Sequence, residues 1–159
     1  MASFKSILVP FDGSEQSHRA LDTAIDIGTA EHAVKVTLLY VAPPTNFDDS
    51  AFEVAAKAAG VPELDDKMKA KVRKAYIESN REQLQEKVVE YFDKLPDNIN
   101  LSISVANGKP NEVIVSYAAD NGIDLIVMGR RGLGAIQAAM GSVSTAVLRV
   151  TDLPVLVVK

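Results

Sequence analysis

The feature that most constrains this chain is the recurrence of short, β-rich apolar runs, each followed by a segment whose apolar residues return at helical spacing. Ser6-Ile7-Leu8-Val9 is the first run, nearly continuous in apolar residues, as a strand buried on both faces requires. It stops at Pro10-Phe11-Asp12-Gly13-Ser14. Ser14 is a good N-cap with Glu15 behind it, and Leu21, Ala24, Ile25 and Gly28 then share a face, which predicts a helix from about Ser14 to Ala30. Val34 to Val41 reads as a second strand closed by Pro43-Pro44. Two such strands joined by one helix make a βαβ unit, whose crossover is right-handed in nearly all proteins.

From Thr45 to Gly60 the pattern fades into a loop or lid, with Phe52, Val54, Ala55, Ala58 and Ala59 suggesting a short helix. It sharpens again at Leu64, Met68, Val72 and Tyr76, then at Leu84, Val88, Tyr91, Phe92 and Leu95, and Pro96 ends it. One straight helix over that span would be about 48 Å long at 1.5 Å per residue, against a domain roughly 40 Å across. Its first half is therefore expected to overhang or break. The span from about 45 to 80 is the variable part of the chain.

Ile99, Leu101, Ile103 and Val105 alternate, which suggests a third strand at a half-exposed sheet edge. Pro110 suits a first helical position, Glu112 complements the dipole, Val113, Ile114, Tyr117 and Ala118 form the buried stripe, and Asn121-Gly122 closes the helix. Asp124 to Met128 is strand four; Val143, Val147 and Val150 make a last amphipathic helix, Pro154 forbids its continuation, and Val155 to Val158 is strand five. Five strands alternating with four helices imply an α/β fold, a parallel, doubly wound, Rossmann-like sheet. With 159 residues, 47% of them apolar, the chain suits a single domain with a real core.

Net charge −4 gives no general cationic field for nucleic acid or an anionic membrane, so a phosphate site must be local. There is no cysteine, hence no disulfide framework or thiolate chemistry, and His18 and His32 stand alone as potential metal ligands. His18, near the start of the first helix, has no evident partner and reads as a surface histidine. The first apolar run is cut by Pro10 and Asp12, unlike a signal peptide, and no run approaches membrane-spanning length. A soluble cytoplasmic protein is expected.

Ligands of such sheets bind beyond the carboxyl ends of the strands, where strand order reverses. The loops expected there are Pro10 to Ser14, Val41 to Thr45 and Met128 to Ser142. The last runs M-G-R-R-G-L-G-A-I-Q-A-A-M-G-S and carries anion-binding grammar: glycines admit a ligand to the backbone. A helix starting at Gly141-Ser142 aims unpaired N–H groups and a positive dipole end at whatever lies in front. Arg130 and Arg131 have guanidinium forks suited to phosphate, and read equally as solvated loop charges. The charge run Lys67 to Lys74 reads as a solvated helix face.

At these loops the sequence resembles the universal stress protein family. The similar parts are I-L-V-P-F-D-G-S-E at Ile7 to Glu15, L-L-Y-V at Leu38 to Val41, G-K-P-N-E-V-I at Gly108 to Ile114, D-L-I-V-M-G at Asp124 to Gly129, G-S-V-S at Gly141 to Ser144 and P-V-L-V-V at Pro154 to Val158. The resemblance implies strand order 3-2-1-4-5 and a homodimer joined through the last strand, Val155 to Val158, with an unknown protein partner. In the ATP-binding subgroup it implies ATP, ADP or AMP, with Mg2+. Asp12 and Val41 would then flank adenine and ribose, beside Pro10 and Met128. Gly129 and Gly132 would give backbone room, and Arg130, Gly141, Ser142, Val143 and Ser144 would hold phosphates. The family pattern places nine residues between its second and third glycines. Here Leu133 to Met140 supplies eight, and a loop containing Gly134 absorbs the difference more readily than a helix, which would rotate by roughly 100°.

Asp12 reads also as turn chemistry, Val41 as the end of a core strand, and Gly141-Ser142 as a helix start that meets only water. Three functions follow: a nucleotide-responsive stress-response module, an interaction protein of the same fold without nucleotide, or a slow, partner-dependent ATPase. No P-loop, Ser-His-Asp set or paired carboxylates are identifiable, so no catalytic residue is assigned.

Overall fold

Strands and helices alternate as β1 (Ser6–Pro10), α1 (Glu15–Thr29), β2 (Val34–Ala42), α2 (Asp66–Phe92), β3 (Ile99–Asn107), α3 (Pro110–Asp120), β4 (Leu125–Gly129), α4 (Ser142–Val150) and β5 (Val155–Val158). This is a computed structural model, and it describes residues 4–30, 34–42, 57–58, 65–132 and 140–159. Of the expected lid, Lys57 and Ala58 are helical; the rest of it, Leu64 and most of the glycine loop lie outside the described residues.

All five strands are parallel, in the order β3-β2-β1-β4-β5. Side chains alternate across the central strand. Ile7 and Val9 of β1 join Leu21 and Ala24 of α1 and Leu84 and Val88 of α2 on one face. Leu8, between them, joins Ile114 and Ala118 of α3 and Val147 of α4 on the other. The chain thus covers one face while winding outward to β3 and the opposite face while winding outward to β5. The reversal falls between β1 and β4, and a cleft opens at the carboxyl ends of those two strands.

Local chemistry sets the ends of the elements. The Ser14 hydroxyl accepts from the Ser17 amide at 3.2 Å and caps α1, while Ala30 closes it. Asp124 accepts from the amides of Lys5 and Ser6 at 2.8 and 3.2 Å, anchoring the start of β1 beside β4. Gly122, at φ +61, turns the chain from α3 into β4. On the edge strand β3, Ile99, Leu101 and Ile103 pack toward α2. The other face carries Ser102, which meets Thr37 at 3.2 Å, and Ser104, whose hydroxyl lies 2.8 Å from that of Tyr117.

Helix α2 overhangs rather than breaks. Its 27 residues run from a cap at Asp65 with no interruption, about 40 Å of helix. Leu84 and Val88 are its buried residues, whereas Met68 of the first half is 47% exposed.

The reading of His18 as a lone surface histidine is corrected. The ring is half-buried, edge-on to Phe11 with centroids 4.8 Å apart, and its Nδ1 lies 3.2 Å from the Tyr91 hydroxyl of α2. Burial, and after it the charge and hydrogen bond of Asp22, push the Tyr91 phenol up to about 12. An unfolded tyrosine titrates near 10. The neutral phenol is therefore favoured by folding, and this stabilisation is complete below pH 10 and lost as pH rises to about 12. Tyr91→Phe is expected to flatten part of the fall in melting temperature over that window, measured by circular dichroism against the unsubstituted protein.

Candidate functional site

At the carboxyl end of β1 the chain turns through Asp12-Gly13. The Asp12 Oδ1 accepts from the Ser14 amide at 3.0 Å, and Gly13 takes φ +81, a conformation that L side chains rarely adopt. Asp12 is thus held by its own turn, with its second carboxylate oxygen directed at Gly132. A Cβ built at Gly132 would collide with that oxygen. The same turn that holds Asp12 is what aims its second carboxylate oxygen at Gly132.

At the carboxyl end of β4, Gly129 passes so close to α1 that a Cβ there would lie 2.8 Å from Gln16 Cβ and 3.0 Å from the Arg131 carbonyl. The glycine loop that follows is closed at its root. The Gly141 amide donates to the Arg130 carbonyl at 2.9 Å, and the buried Ser144 hydroxyl donates to the same carbonyl at 2.9 Å. The Arg130 amide in turn donates to the Val158 carbonyl of β5 at 2.7 Å. Helix α4 begins at Ser142, after the segment Leu133 to Met140, of which residues 133–139 lie outside the described residues.

These loops enclose a cavity of about 450 Å³. Of the expected site residues, Pro10, Asp12, Val41, Met128, Gly129, Gly132, Gly141, Ser142, Val143 and Ser144 all line it. Arg130 does not; its backbone staples the loop root, and Arg131 lines the cavity instead. Position in a loop after a strand gives no period from which to tell which of two adjacent arginines turns inward.

Sequence reasoning also missed Phe11, Ser17, Leu39, Tyr40, Pro110 and Ile114, which complete the wall. Leu39 and Ile114 read as core, and are; only the cleft between β1 and β4 exposes their flanks to the cavity. Pro110 had a usable signal, because the loop after β3 opens at the same end of a parallel sheet as the other three. Tyr40 stands beside Asp12; burial, then Tyr76 and Asp12, push its phenol up.

The wall is chemically divided. Pro10, Leu39, Val41, Ile114 and Met128 form an apolar portion, and the Gly129–Gly132 and Gly141–Ser144 segments form a polar one. There the first turn of α4 presents backbone amides, without a side-chain cap at Gly141 to occupy them. Apolar walls with a few convergent polar groups are what a ligand with one flat apolar part and one anionic part requires. Among the described residues no group of three or more His, Cys, Asp or Glu side chains is placed to hold a metal ion, and no helix is long and apolar enough to cross a membrane.

The family model for the universal stress proteins matches residues 3–159. Universal stress protein YxiE of Bacillus subtilis is 30% identical, the match covering 98% of this chain and 99% of the relative. Universal stress protein MJ0577 of Methanocaldococcus jannaschii is also 30% identical, covering 98% and 95%. The solved structure of MJ0577 superposes with a TM-score of 0.71, covering 99% of this chain and 97% of that one at 26% identity. A universal stress protein solved in complex with cAMP is 25% identical with a TM-score of 0.54, covering 99% and 98%. The strand order, the three-loop cleft and a family match spanning nearly the whole chain agree, and this chain belongs to the universal stress protein family.

Proposed function

We propose that the cleft between β1 and β4 binds an adenine nucleotide, ATP, ADP or AMP, and that the protein acts as a homodimeric, nucleotide-responsive module in stress response. The observation that carries this reading is the cavity itself. Ten residues expected from sequence to hold a nucleotide converge on it, with an apolar portion fit for a base and a polar portion fit for phosphate. A relative of the same fold was solved with cAMP. Gly129, Gly132 and Gly141 keep the backbone bare along this wall, because a Cβ would strike Gln16 of α1 at the first and the Asp12 carboxylate at the second, and would crowd the Arg130 carbonyl at the third.

Asp12 is the one carboxylate lining the cavity among the described residues, so Mg2+ would enter as the companion of a polyphosphate rather than as a resident ion. The arrangement binds and orients; no residue is assigned a catalytic step. Dimerisation through β5 is supported by its position at the sheet edge, with Leu156 38% exposed.

Thermal unfolding with AMP, cAMP, or ATP and Mg2+ at millimolar concentration tests the reading. Ligand at about 100 times its dissociation constant contributes about 2.7 kcal/mol, an upward shift of several degrees for a domain of this size. Absence of a shift with all three ligands overturns nucleotide binding and leaves the interaction-protein reading. Sedimentation at the mass of one 17.1 kDa chain overturns the dimer.

A further inference from the structure

We infer that Arg131 is the residue through which the cavity recognises phosphate, so that the site selects phosphorylated adenine ligands over the bare nucleoside. This rests on the adenine-nucleotide reading and adds to it a residue and a selectivity. Among the described residues lining the cavity, Arg131 is the one cation and Asp12 the one anion. The Arg131 Nε is buried and has no hydrogen-bond partner among the described residues. A guanidinium N–H withdrawn from water without a partner is costly, so the side chain gains by turning this N–H to an oxyanion that enters the cavity. The Nε–H and one Nη–H form a parallel pair, so an oxyanion that reaches Nε is held at two points.

The backbone fixes where that pair can lie. The Arg131 carbonyl is 3.0 Å from a Cβ built at Gly129, and the Arg131 Cα is 3.3 Å from one built at Gly141. Residue 131 is thereby wedged between the end of β4 and the start of α4, beside the amides of the α4 first turn. Arg130, its neighbour, bonds through its backbone to β5 and to Gly141 and does not line the cavity.

Calorimetric titration of the whole protein with AMP and with adenosine tests the inference, using Arg131→Ala, Arg131→Lys and, as a charge-matched control, Arg149→Gln on the exposed last turn of α4. Arg131→Ala is expected to weaken AMP by about tenfold or more, the loss of a charge-assisted hydrogen bond, while adenosine changes by less than about twofold. Arg131→Lys, which keeps charge without the fork, is expected to fall between, and Arg149→Gln to leave the AMP-to-adenosine ratio as it was. An unchanged ratio in Arg131→Ala, or equal weakening of both ligands, overturns the role of Arg131 while leaving the adenine reading intact. Failure of the unsubstituted protein to bind either ligand overturns both.

Discussion

Gly132→Val is expected to abolish adenine-nucleotide binding, with a loss of at least about 100-fold in affinity, while the fold persists. The Cβ of any side chain at Gly132 lands on the Asp12 Oδ2 and within 3.4 Å of the Asp12 Cγ. Valine adds two branches that project into the cavity at the junction of its acidic and glycine-rich parts. Gly132 is exposed and its backbone needs no unusual dihedral, so the strain can be relieved by swinging Asp12 away. That movement breaks the Asp12 hydrogen bond to the Ser14 amide, costing about 1 kcal/mol, or about 2 to 4 °C in melting temperature. The measurement is a pair: calorimetric titration with AMP and a thermal melt without ligand. Adding Asp12→Ala to Gly132→Val is expected to remove the collision without restoring binding. Retention of nucleotide affinity in Gly132→Val would show that the ligand does not lie against Gly132.

The second large effect concerns the long helix. Leu84→Ala is expected to cost about 3 kcal/mol, which lowers the melting temperature by roughly 6 to 12 °C. Leu84 is 4% exposed and packs in the cluster that holds α2 on β2 and β3. About three turns earlier in the same helix, Val72→Ala is expected to change stability by less than about 0.5 kcal/mol, because Val72 is 36% exposed in the overhanging half. The contrast sets a packed half of α2 against an unpacked one. Equal effects at the two positions would mean that the first half of α2 is buried after all.

Helix α2 also marks where the sequence was legible and where it was not. Spacing picks out Met68, Val72 and Tyr76 in one half and Leu84, Val88 and Tyr91 in the other, but it reports which residues share a face and not whether anything lies opposite that face. The strands were easier. A run such as Ile7-Leu8-Val9 is apolar at every position only because α1 and α2 cover one side and α3 and α4 the other, so burial on both faces is written into the composition of the run. Helix ends were legible from Ser14, Pro110 and Asn121 because capping chemistry is local. The order of the strands came from the family resemblance, since no pattern along a strand names its neighbours.

The site divides along the same line. Asp12, Gly129, Gly132 and Gly141 announce themselves as residues that backbone geometry needs, and the cleft gathers them. Tyr40 and Ile114 do not, because a residue that lines a cavity with one flank and the core with the other has the composition of core. His18 was misjudged for a simpler reason: its partner Tyr91 is 73 residues away, beyond any local signal.

The closed root of the glycine loop has a consequence for how such a protein can change over generations. Arg130 and Gly141 are joined backbone to backbone, and the Arg130 amide is joined in the same way to Val158. Main-chain bonds of this kind are blind to most substitutions, since only proline removes the donor. The segment between them can therefore change in length or composition without loosening these joints, and the sheet and the start of α4 keep their places through such change.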